Sequence, residues 1–201
     1  RTYVISVERA NDTPDIPRHV LAPGKFSETA FRTLDQVLAT ANRTGVRLII
    51  PLVDNWPWMG GRAEYAGWRG KTKDDFWTDP QLIADFEQTI HFVLMRTNTI
   101  TGVRYCDDKA ILCWETGNEV ESPVSWTRTV AHYIKSLDTN HLVMDGYAIN
   151  LRDNVLNLPD VDIVTTHHYP GGGKSFAERI QENAAQAKGK KAYIVGEFGF
   201  A

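Results

Sequence analysis

Two glutamates each follow a short apolar run. Glu119 comes after residues 110–114 and the polar segment Glu115-Thr116-Gly117-Asn118, and Glu197 comes after residues 191–195 and Gly196. Carboxyl groups at the ends of two strands that share one rim can divide a reaction between them. One, protonated, gives its proton to a leaving oxygen, and the other, ionised, attacks the carbon left behind. Glycoside hydrolysis needs such a pair on opposite sides of the scissile bond. A single glutamate after a strand is ordinarily a solvated loop residue, so the weight rests on the company these two keep. Residues 46–53 end in Asp54-Asn55-Trp56, and residues 161–165 end in His167-His168-Tyr169-Pro170. His167 and His168 do not read as a metal pair, because adjacent strand side chains point to opposite faces. No metal site is expected, and His168 is read as packing or solvent-facing.

The elements that must position these groups alternate along the chain. Strands are expected at 1–7, 46–53, 110–114, 141–144, 161–165 and 191–195. Residue 27 opens a helix that reaches 42, with Phe31, Leu34, Val37, Leu38 and Ala41 on one face and Gly45 at its end. Asp79-Pro80 starts a helix to about 97, with the capping residue followed by proline at the first helical position. A third helix covers 126–137. Ser175 and Glu178 form a capping box opening a fourth, to about 188. Residues 8–26 and 54–78 read as long loops, and long loops in compact domains are usually functional. Strand–helix alternation implies a parallel sheet covered by helices. Polar clusters follow four of the runs at their carboxyl ends. In a barrel these ends converge on one face, whereas an open doubly wound sheet concentrates chemistry at one switch point. Gly171-Gly172-Gly173 lacks the phosphate-loop and dinucleotide patterns. The expected fold class is therefore α/β, a (β/α)8 TIM barrel.

The local motifs carry a resemblance. Trp114-Glu115-Thr116-Gly117-Asn118-Glu119 resembles the strand-four motif of clan A glycosidases, an Asn-Glu pair whose Glu is the acid/base. Val195-Gly196-Glu197-Phe198-Gly199 resembles the strand-seven motif, whose Glu is the nucleophile, and His167-His168-Tyr169 resembles the strand-six His-x-Tyr. Arg1 matches the arginine of strand two. The order of the four is that of glycoside hydrolase family 5. The resemblance implies Glu119 as acid/base and Glu197 as nucleophile, with Arg1 and the Tyr169 hydroxyl beside Glu197 and His167 near the acid/base. It covers strands two to seven, so residues 1–201 are expected to form one catalytic barrel domain that lacks the first and last βα units. Asn118 is expected to hydrogen-bond the sugar 2-hydroxyl. A cation and a donor near Glu197 favour its ionised form. Glu119, with no cation in its own motif, is expected to have its pKa raised by burial and by the Glu197 charge. Glu115 is read as structural, Trp114 as core, and Glu64, Glu121 and Asp145 as loop or rim residues.

Asp54-Asn55-Trp56 followed by Gly60-Gly61 is similar to the loop after strand three of family 5 β-mannanases, which places Asn55 and Trp56 against substrate. Thr116-Gly117 stands where many mannanases carry Leu-Ala or a similar pair. The implied activity is retaining endo-β-1,4-mannanase. A β-1,4-glucanase of the same family and a non-catalytic carbohydrate-binding relative are the alternatives. Six tryptophans are present, and Trp56, Trp58, Trp68 and Trp77 crowd one polar stretch, as platforms for sugar faces would.

The 201 residues, 42% hydrophobic with net charge −3, give no reason to expect nucleic acid or a membrane as partner. No cofactor is implied, and oligomeric state is left open. Cys106 and Cys113 are too few for a disulfide scaffold, and Cys113 in an apolar run reads as a small buried hydrophobe, with a Cys106–Cys113 bridge as the alternative. The sequons at Asn11 and Asn42 and the family resemblance point to an extracellular, secreted protein.

Overall fold

The structure is a computed structural model that describes residues 1–13, 15–171 and 173–199. A two-stranded antiparallel hairpin comes first, β1 (Val20–Ala22) with β2 (Lys25–Phe26). Helix α1 (Glu28–Thr44) then leads to β3 (Leu48–Pro51). Helix α2 (Arg62–Trp68) and a 3-10 turn (Lys73–Trp77) precede α3 (Pro80–Met95), a second 3-10 turn (Tyr105–Asp107) and β4 (Ile111–Glu115). The remaining elements are α4 (Val124–Leu137), β5 (Leu142–Ala148), the short α5 (Asp153–Leu156), β6 (Ile163–His168), α6 (Phe176–Ala187) and β7 (Ala192–Phe198).

Strands β3 to β7 pair in sequence order, all parallel, into one sheet. The sheet is an arc of a (β/α)8 barrel. Two apolar layers line it. The larger lies between sheet and helices and holds Trp114, Phe86, Trp126 and Ile134. The smaller takes one residue from each strand, namely Ile49, Cys113, Met144, Ile163 and Ile194, on the opposite, interior face of the sheet. Alternation along β4 therefore turns Cys113 and Glu115 to the interior and Trp114 to the helices.

The helix boundaries follow their caps. Ser27 accepts from the Ala30 N–H, and Gly45, at φ 75°, ends α1 in the left-handed conformation. Asp79 accepts from Gln81 and Leu82 N–H ahead of Pro80, and the Ser175–Glu178 capping box is formed.

Some expectations need correction. Residues 1–7 are not a strand: Thr2 and Ile5 donate to the Ile49 and Pro51 carbonyls, but only Val7 makes a bridge, to Val20. Residues 8–26 contain the β1–β2 hairpin, and 54–78 contain α2 and the 3-10 turn. Trp68 and Trp77 pack against the core, which leaves Trp56 and Trp58 as the exposed tryptophans of that stretch. Asp145 is buried on β5 and paired with Arg152, and is not a rim residue. Both cysteines are buried and unpaired, so no Cys106–Cys113 bridge forms. No helix among the described residues is long and apolar enough to cross a membrane.

Candidate active site

The carboxyl ends of β3, β4, β6 and β7 bring the candidate residues to one cleft of about 1820 Å³, whose lining includes Arg1, Asn55, Trp56, Asn118, Glu119, His167, Tyr169 and Glu197. A carboxylate oxygen of Glu119, one of Glu197 and a ring nitrogen of His167 all lie within 4.8 Å of one another.

Backbone geometry accounts for that convergence. In the β6–β7 ladder Thr166 pairs with Val195 but His167 pairs with Glu197, so Gly196 is a bulge that re-aims the glutamate. A Cβ on Gly196 would press on Thr165 Oγ1 and His167 Nε2, which explains the glycine. Glu119 has φ 51°, in the left-handed region, a conformation that costs roughly 1–3 kcal/mol for a non-glycine residue and persists only where neighbours enforce it. Here Asn118 N–H donates to the Val53 carbonyl and Val120 N–H to that of Gly146, which pins the turn between β3 and β5. The Thr116-Gly117 departure belongs to this clamp. Gly146 donates its N–H to Thr116 Oγ1, and a Cβ on Gly146 would collide with the Gly117 carbonyl.

Arg1 is the hub of the charge network. It donates Nε and Nη2 to Glu115 at 2.7 and 3.0 Å, Nη2 to Asn118 Oδ1 at 2.7 Å, and Nη1 to Glu197 Oε1. Burial works against the Arg1 charge, but Glu115, Glu197 and Glu119 outweigh it and raise its pKa. Burial pushes the Glu115 carboxyl up, with Arg1 opposing. Glu115 is therefore the interior anchor that holds Arg1 against Glu197. Tyr169 donates its hydroxyl to Glu197 Oε2 at 2.8 Å. That bond raises the phenol to about 12, so Tyr169 remains a donor through neutral pH.

Glu119 departs from expectation. His167 Nδ1 sits 2.7 Å from its Oε1 and Trp56 donates Nε1 to its Oε2 at 2.5 Å. The His167 bond is the larger cause, Trp56 adds to it, and burial opposes both; the result is a pKa below the ordinary value. The motif around Glu119 contains no cation, and these donors come from β6 and from the loop after β3, which no local reading joins to it.

Other residues are accounted for as follows. Asn55 lines the cleft, but its Oδ1 accepts from Arg62 Nε at 2.8 Å, which fixes the loop that carries Trp56. Glu64 caps the Gly61 N–H at the start of α2, Glu121 lines the cleft, and Trp114 is core, donating to Asp138. His168 is buried, 2.9 Å from Thr166 Oγ1. Asp54, fully buried, was not singled out from the sequence, and its Oδ1 accepts from Asn118 Nδ2 at 3.0 Å. Glu119, Glu197 and His167 have ion-binding spacing, but a metal ion there would compete with the Arg1 guanidinium for Glu197.

A family model described as GH family 5 beta-mannosidase-like matches residues 3–196. The chain belongs to this branch of glycoside hydrolase family 5. Among relatives of this family 5 chain, mannan endo-1,4-beta-mannosidase 4 of Solanum lycopersicum is 33% identical over 220 residues, covering 89% of this chain and 55% of that protein. The endo-beta-1,4-mannanase of Thermotoga petrophila superposes with a TM-score of 0.83 at 28% identity, over 91% of this chain and 50% of that one. A family 5 mannosidase of Rhizomucor miehei gives 0.85 at 26% identity, over 98% and 59%. The family 5 chain thus spans about half the length of the relatives it matches.

Proposed function

We propose that the protein is a retaining endo-β-1,4-mannanase, with residues 1–201 contributing to one catalytic barrel domain. Glu197 is the nucleophile and Glu119 the acid/base. The observation that carries this reading is the approach of the two carboxylates, with one oxygen of each within 4.8 Å. That fits the retaining separation of about 5–5.5 Å and not the inverting one of about 6.5–9.5 Å. The names of the relatives favour β-1,4-mannan over β-1,4-glucan.

In the first step a Glu197 oxygen attacks the anomeric carbon, the bond to the leaving oxygen breaks, and Glu119 gives that oxygen a proton. The resting hydrogen bonds disfavour a protonated Glu119. A sugar seated in the cleft removes water from around the carboxyl, which favours the neutral form. Once the proton has gone, the His167 and Trp56 donors stabilise the carboxylate that takes a proton from water in the second step. That water attacks the anomeric carbon and frees Glu197. Asn118 meets the 2-hydroxyl, and the exposed faces of Trp56 and Trp58 offer stacking surface to the chain of sugars. The protein acts outside the cell, where a polymeric β-mannan would be met; the two sequons fit that placement.

The test is release of reducing ends from linear β-1,4-mannan and from β-1,4-glucan, with NMR of the first anomer formed. Mannan cleavage with net retention is expected, and Glu119→Gln and Glu197→Gln should each lower it by about 10³-fold or more. Inversion would remove Glu197 as nucleophile. Preference for glucan would replace the substrate, and binding of mannan without cleavage would leave a carbohydrate-binding protein.

A further inference from the structure

Asn118 has both ends of its amide engaged by the protein. Its Oδ1 accepts from Arg1 Nη2 at 2.7 Å and its Nδ2 donates to Asp54 Oδ1 at 3.0 Å. Arginine has only donors and a carboxylate only acceptors. Turning the amide over would set NH2 against guanidinium and oxygen against carboxylate, so the two partners together permit a single orientation. One Nδ2 hydrogen is taken by Asp54, and the second is left for a ligand.

Asp54 is itself held firmly. Its Oδ1 accepts from the Trp56 N–H at 3.2 Å, its backbone bridges to Asn118, and a Cβ on Gly61 would strike its carbonyl. Yet its Oδ2 is buried without a hydrogen-bond partner among the described residues. An acid buried with one oxygen unanswered is a poor stabilising device, since desolvating it is costly and an apolar residue would avoid that cost. Burial accordingly pushes the Asp54 carboxyl up, while the Asn118 bond pulls the other way.

We propose that Asp54 is a positioning residue for the glycosidase reaction: it fixes Asn118 so that an amide N–H, and not the carbonyl, meets the 2-hydroxyl of the sugar being cleaved. This rests on the retaining-glycosidase reading above. Its effect belongs to the transition state, because the contact to the 2-hydroxyl strengthens as the oxocarbenium character develops. Asp54 touches no substrate and acts through Asn118.

The experiment compares an aryl β-mannoside oligomer with its analogue lacking the 2-hydroxyl on the cleaved sugar, in wild type, Asp54→Ala, Asp54→Asn, Asn118→Ala and the double alanine variant. Asp54→Ala is expected to lower kcat on the 2-hydroxy substrate about 10- to 100-fold, with KM within about twofold, and to change the 2-deoxy rate by less than about threefold. Asp54→Asn keeps an oxygen for Nδ2 and should retain most of the discrimination. The double variant should be no worse than Asn118→Ala alone, as for groups acting as one unit. Equal losses on both substrates, or a kcat unmoved by Asp54→Ala, overturn the proposal. If Asp54→Ala does not fold, Asp54→Asn decides: loss of discrimination there overturns it. A wild type that cleaves neither substrate overturns the glycosidase reading, a result distinct from every variant outcome, and the proposal falls with it.

Discussion

His167 holds Glu119 through a ring nitrogen placed 2.7 Å from Oε1, and the partner nitrogen of that ring is buried without a hydrogen bond among the described residues. Among the described residues, the hydrogen bond that the imidazole makes thus goes to the acid/base candidate. Glu197 Oε2 lies 3.6 Å from the same Nδ1, beyond hydrogen-bond range.

The first consequence concerns pH. Hydrogen bonds to the ionised form, from His167 first and Trp56 second, lower the Glu119 pKa. Removing either donor must raise it. The basic limb of kcat/KM reports loss of the acid's proton, so His167→Phe should move that limb to higher pH, at a reduced maximal rate, and Trp56→Phe should move it the same way by less. A pH–rate profile checks this. An unmoved limb would show that burial, not the donors, governs Glu119.

The second concerns the anchor beneath the site. Glu115 is buried and takes two hydrogen bonds from Arg1. Glu115→Leu keeps the volume and removes two hydrogen bonds from a largely buried guanidinium that keeps Glu197 and Asn118, which should cost about 2 kcal/mol in stability. It also loosens Arg1 in its place against Glu197, so kcat should fall about 10-fold or more. Denaturant melts and steady-state rates measure the two effects. Full activity in a stably folded Glu115→Leu would mean that Glu197 needs no oriented arginine.

Close backbone packing behind Glu119 gives the third. A methyl group at position 146 collides with the Gly117 carbonyl and must push the turn that carries Asn118 and Glu119. Gly146→Ala should lower kcat by about 10²-fold, the scale of a 1 Å misplacement, and lower stability by about 1–3 kcal/mol as overpacking does. Wild-type kcat would show that the left-handed turn at Glu119 tolerates displacement.

The fourth lies away from the site. Asp138 accepts from Trp114 Nε1 and meets His141 Nδ1, both at 2.7 Å, and all three residues are buried. Burial penalises both charges, but their pairing prevails, holding Asp138 below its ordinary 3.8 and His141 above its ordinary 6.5. A depressed carboxyl contributes stability that is present above pH 3.8 and lost as pH falls through its folded value. A raised histidine contributes stability present below pH 6.5 and lost as pH rises through its folded value. The pair therefore supports the fold most between about pH 4 and 6.5, and Asp138→Asn should flatten that part of the profile. Thermal melts across pH test it; an unchanged profile would show the pair to be neutral in net effect.

Local chemistry made much of the fold legible. Ser27, Asp79-Pro80 and the Ser175–Glu178 box each open a helix where the sequence places one, because caps act within a single turn. The hairpin at Val20–Phe26 and helix α2 were not legible: strands of two and three residues and a seven-residue helix carry too few positions to show a period. Residues 1–7 read as a strand from composition, but only Thr2 and Ile5 find acceptors on β3. A strand is a property of two chains in register.

The same division holds at the site. From the sequence alone came the identity and order of the polar groups at the strand ends, since an apolar run buried on both faces must surface where it turns polar. Arg1, Asn55, Trp56, Asn118, Glu119, His167, Tyr169 and Glu197 are candidates on that ground or by resemblance. Tertiary structure alone decided which of them touch. The Gly196 bulge aims Glu197, the Gly117–Gly146 contact seats Glu119, and Asp54 and Glu115 hold Asn118 and Arg1 from below. The protonation of Glu119 belongs to the same class, because it depends on donors from β6 and the β3 loop. Electrostatic and hydrogen-bond energies fall steeply with distance in space and take no account of distance along the chain.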